Sequence, residues 1–224
     1  GKQYGINCRR LADANLNYDE KASEEILLDQ NELAKPYKFF MVAGSLVSPD
    51  DRYLAYLTDT TGFRQFKLQI KDLKTGELLS DTAERVTSMA WASDNKTMFF
   101  VQEDPTTKRS DRLFRLELGS AAKEVYQEKV EQFSIGVGTT HDRKFITLVA
   151  YATDTSEQWL IPADKPQAKN PEQAQAEVPA SKSAQDEIKS FIRWIRKGNA
   201  NRAFNFEKVE ATYAEVLNKF VEAQ

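Results

Sequence analysis

Apolar and polar positions alternate in short runs over most of the chain, and the runs recur. The polar turn Ser48-Pro49-Asp50-Asp51-Arg52 precedes the apolar strand Tyr53-Leu54-Ala55-Tyr56-Leu57. A second copy pairs Ala92-Ser93-Asp94-Asn95-Lys96 with Thr97-Met98-Phe99-Phe100-Val101, and a third pairs Thr140-His141-Asp142-Arg143-Lys144 with Phe145-Ile146-Thr147-Leu148-Val149. Each turn uses short polar side chains that bond back to the backbone, and proline presets φ in the first. Asp50, Asp94 and Asp142 fall at matching places, 44 and then 48 residues apart.

Each copy carries further strand pattern beyond its turn. Phe66 to Leu73 alternates and runs into a Thr75-Gly76 turn; Arg112 to Leu118 alternates and ends at Gly119-Ser120; Glu157 to Pro162 closes the third copy. Several short strands per unit, repeated every ~40–50 residues, is the pattern of propeller blades. A plain antiparallel sandwich also spaces short strands evenly, but the internal repeat favours the propeller. The fold expected is mainly β: a partial β-propeller of about three four-stranded antiparallel blades near 47–82, 89–129 and 134–162, within 1–164. Upstream, Gln3 to Arg9 alternates like a strand with nothing before it to pair with. Glu24-Glu25-Ile26-Leu27-Leu28 reads as a strand or one helical turn, and Phe39-Phe40-Met41-Val42 as a buried strand.

The pattern changes after the third copy. Residues 165–183, rich in Pro, Gln, Ala and Lys and without aromatics, read as a linker. From 184 to 224 the period becomes 3.6, and the segment reads as an α-helical hairpin. Ile188, Phe191, Ile192 and Ile195 share one helical face; Phe206, Val209, Tyr213, Val216, Leu217 and Phe220 share another. Ser183 is placed to cap the first helix and Gly198 to stop it. Two helices alone have too little core, so these ten residues are expected to dock, on an open blade face or on a second copy of the chain.

Composition narrows the function classes. Hydrophobic residues make up 41% and charged residues 29%, with a formal charge of −3. That balance is a globular protein's, and its charge offers no case for nucleic acid or an anionic membrane as partner. No apolar run approaches the ~20 residues of a membrane span, and no secretory signal is visible at Gly1 to Arg10. The single cysteine, Cys8, excludes an intrachain disulfide and a cysteine metal cluster, and a reducing, cytoplasmic location is expected.

Candidate chemistry is sparse. His141 as a base would need a nucleophile and an orienting acid, and its place in a turn favours a turn residue. Cys8, followed by Arg9 and Arg10, is expected to be a buried strand cysteine rather than a reactive thiol. The repeated aspartates form turns rather than a calcium site, because they lie in separate blades. Asp59 to Arg64 reads as a blade turn in which Gly62 supplies an unusual φ. Lys108, Arg109 and Arg112 are expected on a solvated face. Trp194 with Arg193, Arg196 and Lys197 reads as part of an ordinary amphipathic helix, since Glu187, Glu207, Glu210 and Glu215 offset the basic charge. No catalytic residue, cofactor or metal ligand is assigned.

Several of these stretches together resemble a known family. GKQYGINCRR, EEILLDQNELA, VSPDDRYLAYLTDTTG, KDLKTGELL, MAWASDNKTMFF and the segment 108–115 are similar to the propeller of oligopeptidase B-type enzymes, of the prolyl oligopeptidase group of serine peptidases. The resemblance covers about Gly1 to Gln167. It implies a seven-bladed propeller that screens an α/β-hydrolase active site, admits short peptides and excludes folded proteins, in enzymes that cleave after basic residues. It also implies a serine in a Gly-x-Ser-x-Gly elbow with an aspartate and a histidine. These 224 residues contain no such elbow, and His141 is the only histidine, so no triad carries over. The expected function is therefore the gating propeller segment of an oligopeptidase B-like peptidase, inactive alone, joined to an unrelated helical tail. Peptide substrate is then a partner only in a full-length enzyme. The alternative is a non-enzymatic binding or self-assembly module that uses the blade faces and the tail.

Overall fold

The computed structural model describes residues 2–13, 17 and 21–167. Every described sheet is antiparallel. A two-stranded sheet joins β1 (Ile6–Arg9) to β2 (Glu25–Asp29), and a five-residue helix α1 (Gln30–Ala34) follows. β3 (Met41–Val47), β4 (Tyr53–Asp59), β5 (Lys67–Asp72) and β6 (Leu78–Ala83) form a four-stranded sheet in chain order. β7 (Val86–Trp91), β8 (Thr97–Glu103), β9 (Ser110–Glu117) and β10 (Lys123–Gln127) form a second. β11 (Ser134–Thr139), β12 (Phe145–Tyr151) and β13 (Ser156–Pro162) form a third, with three strands rather than the four expected of a blade.

The sheets stack face to face, and the strands next to the innermost one show why. In β4 all of residues 54–59 are buried, because the strand is covered on both faces. Ala55 and Leu57 join a core with Met89, Trp91, Met98 and Phe100 of the second sheet, while Leu54 and Tyr56 pack on Leu27 and Leu28 of β2. β8 repeats the arrangement. Its Met98 and Phe100 face the first sheet, and its Phe99 and Val101 face the third, among Ile135, Ile146 and Leu148. Alternation with period 2 sends neighbouring residues to opposite seams, and each fully buried large side chain contributes roughly 1.5–3 kcal/mol. The first strands of successive sheets are also tied directly. Trp91 Nε1 donates to the Leu46 carbonyl at 3.2 Å, and the Val137 amide donates to Ser88 Oγ at 2.9 Å.

The structure departs from the sequence reading just before and at the start of the first sheet, and it decides a segment that the reading left open. Glu25–Asp29 is a strand, and it supplies the partner of β1 from downstream. Phe39 to Val42 is not a buried strand. Phe40 alone is buried, at 5% exposure, in the loop before β3, where its ring meets Tyr4 and Tyr37; Phe39 is 42% exposed. The first sheet begins at Met41 rather than Val47, because Gly44 and Ser45 break the apolar run of its first strand. The predicted helical hairpin at 184–224 lies outside the described residues.

Candidate functional site

The three repeated aspartates bind their own turns. Asp50 Oδ1 accepts from Ser48 Oγ at 2.5 Å and from the Arg52 amide at 3.3 Å. Asp94 accepts from the Lys96 and Thr97 amides and from Thr97 Oγ1, at 3.2, 2.8 and 2.6 Å. Asp142 Oδ1 accepts from Thr140 Oγ1 at 2.6 Å and the Lys144 amide at 3.1 Å. The residue after each one, Asp51, Asn95 or Arg143, has φ near +60°. A left-handed residue locked by an aspartate is a complete account of the repeat's signature, and no cation is needed to explain it. His141 lies exposed in the third of these turns, at the position of Pro49.

Asp59 caps the loop between β4 and β5. Its Oδ1 accepts from Thr61 N and Oγ1, both at 2.7 Å, and from Gly62 N at 3.1 Å; Oδ2 accepts from Arg64 N at 2.7 Å. Burial raises its pKa, but these bonds outweigh burial and leave the carboxyl below its ordinary value. Gly62 takes φ +81°, as expected, and the Phe39 ring lies 3.7 Å from where a Cβ would stand. The loop borders a polar cleft of about 510 Å³ lined by Tyr37, Thr58, Thr61, Lys67, Gln69 and Arg85, among others.

Cys8 lies in strand β1, but its side chain is exposed rather than buried. A two-stranded sheet covers only one face, and Cys8 points away from it. Desolvation and then the nearby Glu24 carboxylate raise the thiol pKa, the opposite of what an activated thiol needs.

The basic cluster is the clearest correction. Arg109 and Arg112 do not form a solvated face. Arg109 reaches under the crossover from the second sheet to the third. Its Nη1 donates to the carbonyls of Phe133 at 2.8 Å and Val130 at 3.3 Å, and its Nη2 to the Glu128 carbonyl at 3.0 Å. Buried Asp111 stands 3.5 Å from both Arg109 and Arg112. Arg112 also donates to the Glu103 carbonyl, and the Glu103 carboxylate pairs with Arg85 at 2.9 Å, in the crossover from the first sheet. One charged network therefore holds both crossovers at the same end of the middle sheet. Most of its guanidinium donors face main-chain oxygens or carboxylates, while Arg112 Nε stands 3.5 Å from Asp111 Oδ1 without a hydrogen bond, so the network works as a brace. Lys108, by contrast, is exposed, with its ammonium on the Pro105 carbonyl.

The ten residues expected to form a docking face (Ile188, Phe191, Ile192, Ile195, Phe206, Val209, Tyr213, Val216, Leu217 and Phe220) lie outside the described residues, as does Trp194. No helix among the described residues is long and apolar enough to cross a membrane.

Stacked antiparallel sheets with braced crossovers find their counterpart in known proteins. The family model of the prolyl oligopeptidase N-terminal β-propeller domain matches residues 1–214. The chain belongs to this family. The match continues past Gln167, where the motif resemblance stops, so the segment taken for an unrelated tail is largely within it. Dipeptidyl aminopeptidase BI of Pseudoxanthomonas mexicana is 34% identical over 228 residues, covering 94% of this chain and 30% of the relative. Protease 2 of Moraxella lacunata is 34% identical over 171 residues, covering 74% of this chain and 24% of the relative. In fold, the chain resembles oligopeptidase B from Leishmania major with a TM-score of 0.69 at 23% identity, over 76% of this chain and 24% of that one. The chain thus spans about a fifth to a third of the length of the curated relatives it matches.

Proposed function

We propose that this propeller segment controls substrate access in an oligopeptidase B-like serine peptidase, and that the 224 residues do not hydrolyse peptides by themselves. The observation that carries the reading is the family match over 1–214, laid on sheets whose first strands, β3, β7 and β11, are tied to one another in series. Rigid stacking suits a screen: folded proteins are excluded by a wall that does not yield, while short peptides pass. The chemistry is supplied elsewhere, by the serine, histidine and aspartate of a hydrolase domain. Short peptides cut after a basic residue are the substrates, met only in the whole enzyme, and the site of action is cytoplasmic.

Two measurements test this. Purified chain is incubated with an arginyl or lysyl amide substrate; hydrolysis above the buffer rate would overturn the non-catalytic reading. Separately, this chain replaces the matching segment of Protease 2 of Moraxella lacunata. The chimaera should still cleave a short basic peptide and spare a folded protein. A chimaera that digests the folded protein as readily as the peptide shows that the segment does not screen.

A further inference from the structure

The polar cleft beside the β4–β5 loop has walls that are fixed and donors that are free. Buried Thr58 of β4 donates from Oγ1 to Gln69 Oε1 of β5 at 3.2 Å, which leaves the Gln69 amide nitrogen with no acceptor among the described residues. One wall is the loop itself. The Asp59 carboxylate is engaged by that loop's own donors, so it supplies shape and no free charge. The other wall is the crossover from β6 to β7. There the Glu103 amide donates to the Arg85 carbonyl at 2.9 Å, Gln102 Nε2 to the Glu84 carbonyl at 2.8 Å, and the Val86 amide to the Phe66 carbonyl at 2.9 Å. Arg85 takes φ +57°, a region that disfavours any residue with a Cβ. An arginine kept against its backbone preference points to a use for the side chain.

Of the charged side chains that line the cleft, Lys67 and Arg85 are cations and Glu84 is the one anion. Arg85 Nη1 is held at 2.9 Å by Glu103, a largely buried carboxylate outside the lining, while its Nη2 and Nε have no acceptor among the described residues. Lys67 pairs with Glu84 at 3.0 Å, but the two side chains are 44% and 64% exposed, and such a pair exchanges easily. We propose that this cleft binds the C-terminal carboxylate of a short peptide. The free edge of Arg85 takes the carboxylate and Lys67 turns to it from Glu84, as guanidinium and ammonium donors do. The amides of Gln65 and Gln69 and the hydroxyl of Thr60, none with its hydrogens spent among the described residues, meet the adjoining main chain. An excess of one cation matches a single negative charge, and paired amide groups match a peptide. The volume of about 510 Å³ is that of a small-ligand site. The inference rests on the peptidase reading for the kind of ligand. A short peptide carries a terminal carboxylate close to every bond it offers, and a folded protein does not.

The test is isothermal titration calorimetry of the purified chain with an acetylated tetrapeptide, as its free acid and as its C-terminal amide. The free acid should bind about tenfold tighter, the size of one charge-assisted contact, and added salt should shrink the difference. Arg85→Gly suits the left-handed backbone and should abolish the preference for the acid. Lys67→Ala breaks only an exposed pair, so it keeps the test valid if the first variant does not fold, and it should reduce the preference about threefold. Equal binding of acid and amide, no binding of either at millimolar peptide, or an unchanged preference in Lys67→Ala would overturn the proposal. An amidated peptide ending in aspartate that matches the free acid would overturn it too, by moving the carboxylate to a side chain. None of these results bears on whether the chimaera spares a folded protein, so the cleft and the screen stand or fall separately.

Discussion

Arg109 Nη1 lies 2.8 Å from the carbonyl oxygen of Phe133, a residue 24 positions further along the chain and in the next blade's approach. With the Glu128 and Val130 carbonyls also on the guanidinium, one side chain satisfies three main-chain acceptors of a crossover that has no ladder of its own.

Arg109→Ala should therefore cost about 2 kcal/mol, since it takes a charged donor from the part-buried Phe133 and Glu128 carbonyls and leaves buried Asp111 with Arg112 as its one cation among the described residues. Arg109→Lys should recover only part of this, because an ammonium lacks the planar fork that reaches several oxygens at once. Urea denaturation of the three proteins checks both. Equal midpoints for wild type and Arg109→Ala would remove the brace from the account of the fold.

The repeated turns are predicted to differ in cost although they look alike in sequence. Asp94 holds the fully buried Thr97 by its amide and its hydroxyl, so Asp94→Ala leaves a buried hydroxyl without its acceptor and should cost about 2 kcal/mol. Asp142 binds only exposed or half-buried turn groups, and Asp142→Ala should cost less than about 1 kcal/mol. Thermal unfolding of the pair reads the difference, and a reversed order would contradict it.

Acid should weaken the chain in a defined window. Asp29, at the start of α1, is held by Lys2 and Asn31 and titrates at about 2 instead of 3.8. Asp142 is also lowered, by Thr140 first, and Asp104 by the Thr107 amide. A carboxyl depressed by folding contributes stability above its unfolded value and loses it as pH falls through the folded one. Stability is thus expected to hold down to about pH 4 and to fall between there and about pH 2. In Asp29→Asn the decline over this window should be shallower, as measured by urea midpoints at each pH; an unchanged slope would mean that the Lys2 contact contributes nothing.

Cys8 offers a chemical probe of the N-terminal sheet. An exposed thiol in a folded strand should be fully alkylated in native conditions, but slowly at neutral pH, because desolvation and Glu24 hold it in the thiol form. Glu24→Gln should speed the reaction at pH 7 and leave the final stoichiometry unchanged. A native protein that resists alkylation altogether would place Cys8 in the core after all.

Local rules made much of this protein legible from its residues alone. The Asp-containing turns, the alternation of 66–73 and 112–118, and the left-handed Gly62 and Gly76 depend on neighbours a few positions away, and each stands where the residue types place it. The family resemblance rested on the same segments. Tertiary structure decided what those segments do to one another. That Phe99 and Phe100 serve opposite seams, that Ile26 to Leu28 pair back onto Asn7 and Cys8 across a polar insert, and that Phe40 is buried while Phe39 is not all depend on which surface lies opposite. Arg109 is the sharpest case. An arginine at a loop end reads as solvated, because its three carbonyl partners are 19 to 24 residues away and leave no periodic trace in the chain. Turn chemistry is written in adjacent side chains, whereas a brace between blades exists only once the blades have stacked.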